Sequence, residues 1–259
     1  MRKNKGMKVI AILVMAFLFL PLLLIAITSF GTKASIQFPI QGFTLDWYAN
    51  ALSIQSLMDS LKLSFLIGIL ATVLALVVGV PASYALSRMT IKGRSFIKSF
   101  FLSPTVIPGI VVGYTLFQFV VISIGLPVFP ALIFGHFLIS LPYIIRVVGS
   151  SLEQLDFSME EAAWTLGCTR IQAFIKIILP NISAGIFAAF MLAFVNSFNN
   201  VPVSMFLSGP GVTMLPTSLL NYMEYNYDPT VSAISVMLML VTMAAMFLVE
   251  KTLGLKSIA

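Results

Sequence analysis

Over residues 9–27 the chain carries no polar side chain, and a run of that length restricts what it can fold into. A helix needs about 20 mostly apolar residues to cross the hydrocarbon of a bilayer. The core of a secretory signal is shorter, about 7–15 residues, and is followed by a small-residue cleavage site that is missing here. The run therefore reads as a retained first span, at 7–29. Five further windows qualify, at 61–86, 100–124, 130–149, 181–200 and 230–250, several of them broken by Pro81, Pro104, Pro108 or Pro142. Composition agrees: 59% of residues are apolar and 9% charged, where a soluble domain carries about 25% charged. The expected fold is all-α, a polytopic membrane protein with six transmembrane helices in one domain spanning residues 1–259. Its solvent is the lipid bilayer.

The net charge of +6 does not indicate nucleic acid, because the basic residues punctuate apolar segments instead of clustering among polar or aromatic neighbours. They act as topology signals. Arg2, Lys3, Lys5 and Lys8 precede the first span, and Arg88, Lys92, Arg94 and Lys98 follow the second. Arg146, Arg170 and Lys176 belong to the connection after the fourth, and Lys251 and Lys256 to the tail. Lys33 and Lys62 alone fall on the other side, so both termini are expected in the cytoplasm. The single cysteine, Cys168, rules out an internal disulfide and a multi-cysteine metal site. No H-E-x-x-H, G-x-S-x-G or phosphate-loop pattern occurs, so no catalytic or metal residue is expected. No carboxylate lies at mid-membrane, which disfavours the alternative of a stand-alone secondary transporter or channel.

The connection 150–180 is the one substantial inner segment. Ser158-Met-Glu-Glu161 has the form of a capping box, and Glu160 and Glu161 suit the positive end of a helix dipole. Met159, Ala162, Ala163 and Leu166 share a face, and Gly167 is placed to end the helix in the left-handed region. Thr169 and Gln172 form a second box, followed by Ile171, Phe174, Ile175 and Ile178 at helical spacing up to Pro180. The segment therefore encodes a helix–glycine–helix elbow. It suits either a partner's groove or the headgroup layer.

Glu161-Ala162-Ala163, three residues, Gly167, nine residues and Ile177-x-Leu179-Pro180 together resemble the EAA loop of binding-protein-dependent ABC importer permeases of type I. Phe43 to Tyr48, Leu102-Ser-Pro104, Phe206 to Pro210 and Leu215-Pro216 are similar to the second permease subunit of spermidine/putrescine importers. The resemblance implies the MetI-like permease fold in a bacterial plasma membrane. It also implies that Glu160, Glu161, Ala162, Ala163, Gly167, Ile177, Leu179 and Pro180 couple the chain to an ABC ATPase dimer, which carries the ATP and Mg. A second homologous permease and an extracytoplasmic substrate-binding protein complete the implied assembly. The solute is then a polyamine or a related small organic molecule.

Polar residues inside a membrane face a cavity or a partner helix. Asn196, Asn199 and Asn200 fall at i, i+3 and i+4, and with Ser204 they are candidates either to line a substrate path or to bond helices together. Where polyamine permeases tend to carry acids, this chain has Asn199 and Asn200. A zwitterion, an organic anion, an aminophosphonate or a vitamin-like solute is thus a second option. The lone His136 reads as a packed, hydrogen-bonded residue, and Gly109-x-x-x-Gly113 as a close-packing motif.

Overall fold

The computed structural model describes residues 5–88 and 92–253, with the side chains of 5, 245, 246 and 248–253 excepted. Arg2, Lys3 and Lys256, and the side chains of Lys5 and Lys251, lie outside the described residues. In chain order the helices are α1 (Lys5–Thr28), α2 (Asp46–Ser53), α3 (Gln55–Arg88), α4 (Arg94–Leu102) and α5 (Gly109–Leu116). Next come α6 (Val128–Gln154), α7 (Ser158–Thr165), α8 (Arg170–Ala173), the short α9 (Leu179–Asn181) and α10 (Ser183–Phe198). The series closes with α11 (Val201–Leu207), α12 (Leu215–Tyr225) and α13 (Thr230–Leu253). Among the described residues there is no strand, only an isolated bridge between Gly209 and Val212.

All six apolar windows fall on this helical framework. α1, α3 and α6 are each long and apolar enough to cross a membrane by themselves, and α13 carries an apolar stretch over Thr230–Ala244. The other two windows are bent. The expected span 100–124 is not one straight helix: Arg94–Thr105 and Gly109–Ser123 meet at 94°. The cause is local. Pro108 has no N–H to continue the helix and disfavours a helical conformation at the residue before it, while Ser103–Thr105 tightens into a 3₁₀ turn. Arg170–Asn181 and Ser183–Phe198 likewise meet at 72°, at Ile182.

The residues group into two compact units, Met1–Asp59 with Ser218–Ala259, and Ser60–Thr217. In the first, α13 packs against α2 over Ala51, Leu57 and Ile234, and against α1. Polar side chains tie them: Asn50 donates to Thr230 at 2.9 Å, and Thr28 to Ser232 at 3.3 Å. In the segment that follows α1, Phe30 stacks on Phe43 at 4.9 Å, and the Trp47 indole donates to the Gly31 carbonyl at 2.6 Å.

The second unit is built on α6, which packs along α10 and against α11. One apolar cluster joins Ile67, Val120, Leu132 and Leu207; another joins Ala75, Ile144, Val148, Ile178 and Ala189. Small residues allow the backbones to approach. A β-carbon on Gly113 would lie 2.8 Å from the Pro202 carbonyl oxygen, and one on Gly109 would lie 3.1 Å from the Pro202 ring. The glycine pair on α5 is therefore the seat of α11, as the G-x-x-x-G spacing predicts.

Candidate functional site: the elbow at residues 158–180

α7 begins at Ser158, one residue inside the position that a Ser158 capping box would require. The expected box is not formed. Asp156 does the capping, its carboxylate accepting the Ser158 amide at 2.9 Å. A charged acceptor two residues upstream outcompetes a hydroxyl that already lies inside the first turn. Bonds from the backbone amide and hydroxyl of Ser158 hold the Asp156 carboxyl below the usual carboxylate range.

The far end of α7 closes as its sequence predicts. Gly167 sits at φ +87°, its amide donates to the Trp164 carbonyl at 2.9 Å, and the Cys168 amide reaches the Ala163 carbonyl at 3.0 Å. These two bonds define a Schellman motif. Thr169 then starts α8 with a complete capping box: its hydroxyl accepts the Gln172 amide at 3.2 Å, and the Gln172 side chain accepts the Thr169 amide at 2.9 Å. α8 widens into a π-helical turn over Phe174–Ile178 before α9. A glycine turn and two caps thus fix the elbow from within.

The adjacent acids have opposite environments. Glu160 is 0% exposed, whereas Glu161 faces outward. Glu160 Oε1 lies 3.2 Å from Arg88 Nε, close enough for charge pairing but without hydrogen-bond alignment. The Tyr84 hydroxyl donates to Glu160 Oε2 at 3.0 Å. Arg88 also donates to the Leu155 carbonyl at 2.9 Å, just past the end of α6, and lies 5.2 Å from the centre of the Phe157 ring. On the sequence alone Arg88 counts only as a topology charge and Tyr84 carries no signal; their spacing of four residues at the end of α3 puts both on the face that meets Glu160.

Ala163 and Ile178 are buried, Ile177 and Leu179 are half-buried, and Pro180 is exposed. Ala162, Leu166, Gly167, Ile171 and Ile175 point outward. The four candidate path residues separate. α10 ends at Phe198 and Asn200 is extended, at φ −77° and ψ 101°, so Asn200 does not share the helical face of Asn196 and Asn199. Its side chain caps α11 by accepting the Val203 amide at 3.0 Å. Ser204 is buried, donates to the Asn200 carbonyl and lies 3.4 Å from His136 Nε2. Asn196 is half-buried and Asn199 exposed.

Over residues 75–252 the chain matches the family described as "Binding-protein-dependent transport system inner membrane component". The chain belongs to this family. Among curated relatives, the spermidine/putrescine transport system permease protein PotC of Escherichia coli K12 is 29% identical over 233 residues, covering 88% of this chain and 86% of PotC. The sulfoquinovosyl glycerol transport system permease protein SmoH of Agrobacterium fabrum is 33% identical over 221 residues, covering 82% of this chain and 78% of SmoH. The fold is that of a bacterial ABC transporter chain involved in import of the acidic polysaccharide alginate, with a TM-score of 0.72, 18% identity and coverage of 97% and 98%. As a member of the family, the chain is a multi-pass membrane protein and the permease subunit of an ABC importer, a transport component and not an enzyme. Membership brings an ATPase and a substrate-binding protein as partners.

Proposed function

We propose that residues 158–180 seat in a cleft of a separate ABC ATPase dimer and pass its ATP-driven closure to the membrane helices. The observation that carries this is the outward face of the elbow. Leu166 is 86% exposed and Ile171 71% exposed, with Ile175 and the small residues Ala162 and Gly167 beside them and Glu161 at the edge. Caps and a glycine turn hold this apolar, small-centred surface in one shape, so a partner can bind it without first ordering it. Glu160, Ala163, Ile177, Leu179 and Pro180 form the side of the same element turned to the membrane helices or leading into them.

In this reading residues 1–259 form a single permease domain with both termini in the cytoplasm of a bacterial cell, where thirteen of the fifteen Lys and Arg residues lie. A second homologous permease supplies the other half of the path, and an extracytoplasmic binding protein delivers the solute to the outer loops. The solute is a polyamine or a related small organic molecule, as the similarity to PotC and SmoH supports. Asn196 and Asn199 remain as path-lining amides, while Asn200 and Ser204 serve the helix junction beside them. Amides give a polycation no countercharge, so a polyamine would draw it from the partner permease.

The test is ATP-driven uptake in proteoliposomes holding the complete transporter with Gly167→Trp. A β-carbon at Gly167 meets nothing of the chain itself within 4 Å, so the bulk falls on the docking side. Uptake should be lost; uptake at the unmodified level would refute docking through this face.

A further inference from the structure

Glu160 lies off the proposed docking face. It is wholly buried behind the outward face, and its carboxylate meets α3, one oxygen accepting from Tyr84 and the other paired by charge with Arg88. The Arg88 side chain is only 13% exposed. Burying such a pair does not by itself make a fold more stable than apolar side chains of the same size would, and its best-attested use is to specify one arrangement.

The surroundings show what is being arranged. Between the end of α3 and the elbow lies a cleft of about 670 Å³, walled by Pro81 and Tyr84 on one side and by Trp164 and Phe174 on the other. Deeper in, the elbow shares an apolar cluster with α3, which joins Ile178, Phe174 and Leu179 to Ala75, Leu76 and Val80. At the end of α3 the polar and aromatic contacts are Glu160 to Arg88 and Tyr84, Tyr84 to the Phe174 ring at 4.8 Å, and Arg88 to Phe157 and the Leu155 carbonyl. Arg88 thus holds three things at once: the first turn of α7, the chain leaving α6 and the end of α3.

We infer that Glu160 and Arg88 form a transmission joint, a pair of positioning residues that makes the end of α3 move with the elbow. The inference rests on the elbow being the ATPase docking element. Glu161 faces the partner and Glu160 faces the membrane helix, so force received on one side of α7 leaves on the other. A charge pair suits this role because sliding or rotating α7 against α3 pulls opposite charges apart inside a region of low dielectric, which costs energy. Two apolar side chains would tolerate the same displacement.

The test uses the assembled transporter, with ATPase, both permeases and binding protein, in proteoliposomes. Glu160→Gln keeps the shape and can still accept from Tyr84, but loses the charge. The double variant Glu160→Leu with Arg88→Met replaces the pair by apolar bulk and keeps the experiment informative if a lone Arg88 disturbs folding. In both, the ATPase should co-purify as before and ATP hydrolysis should persist, while solute taken up per ATP hydrolysed falls about tenfold. A pair that serves only stability would lower the yield and thermal midpoint of the complex and leave that ratio unchanged; an unchanged ratio overturns the joint. Loss of the ATPase from the Glu160→Gln complex also overturns it, because the joint lies behind the docking face. Leu166→Asp, assayed alongside, separates the two claims. If it retains the ATPase and normal uptake, the docking reading fails; if it loses the ATPase while Glu160→Gln keeps the normal ratio, only the joint fails.

Discussion

His136 Nδ1 and the Ser197 hydroxyl lie 2.9 Å apart, with both residues wholly buried. The bond joins α6 to α10, and Ser204 brings α11 to the other ring nitrogen at 3.4 Å. The lone histidine is thus packed and hydrogen-bonded where three helices meet, as its isolation from intramembrane acids predicts. Interhelical hydrogen bonds of this kind contribute about 1 kcal/mol. Ser197→Ala should lower the stability of the detergent-solubilised chain by about that amount. His136→Ala, which also opens a cavity, should lower it by about 2–5 kcal/mol. Thermal unfolding followed by circular dichroism measures both.

Gly113 and Gly109 should respond unequally to a methyl group. At Gly113 the new carbon would meet a backbone carbonyl oxygen at 2.8 Å, which cannot rotate away; at Gly109 it would meet the Pro202 ring at 3.1 Å. Gly113→Ala should therefore destabilise by about 1–3 kcal/mol, and Gly109→Ala by less. The same unfolding experiment ranks them, and equal losses would contradict the seating of α11 on α5.

Gly167 separates backbone strain from partner contact. At φ +87° any side chain with a β-carbon costs about 1–2 kcal/mol, Asn being tolerated best. Gly167→Asn should leave the permease folded with the smallest loss of uptake, Gly167→Ala should cost more, and Gly167→Trp should abolish uptake without further unfolding. Paired uptake and unfolding measurements on the three variants reveal the split.

Much of the elbow was legible because its chemistry is local. Gly167 and the Thr169–Gln172 box depend on residues within five positions of one another, and they form as their spacing predicts. The Ser158 box failed through an equally local competitor: Asp156 offered a charged acceptor two residues earlier. The union of Arg88 with Glu160 could not be read, since the residues are far apart in sequence and Arg88 already had a sufficient explanation as a topology charge. Pro104 and Pro108 were visible, but whether they kink a span or turn it through 94° depends on what packs around the break. Asn200 illustrates a similar limit. Its spacing from Asn196 fits a helix, yet Val201-Pro202 immediately after it starts a new one, and the side chain is taken up as that helix's cap.

That cap makes its own prediction. Asn200→Ala should cost about 1 kcal/mol, and Asn200→Asp should retain most of the stability, because aspartate caps as well as asparagine. Asn199→Ala, at an exposed position, should stay within about 0.5 kcal/mol of the unmodified chain. Unfolding of the three variants side by side reads the difference, and a larger loss from Asn199→Ala would contradict the assignment of the cap.

The docking face itself is tested most directly by a photo-activated cross-linking residue at Leu166 in the assembled, transporting complex. Leu166 is the most exposed large apolar side chain of the elbow, and a docked elbow predicts a covalent adduct with the ATPase. The same residue placed at Ile110, exposed on α5, should give none. Adducts with lipid alone from position 166, in a complex that hydrolyses ATP and takes up solute, would contradict it.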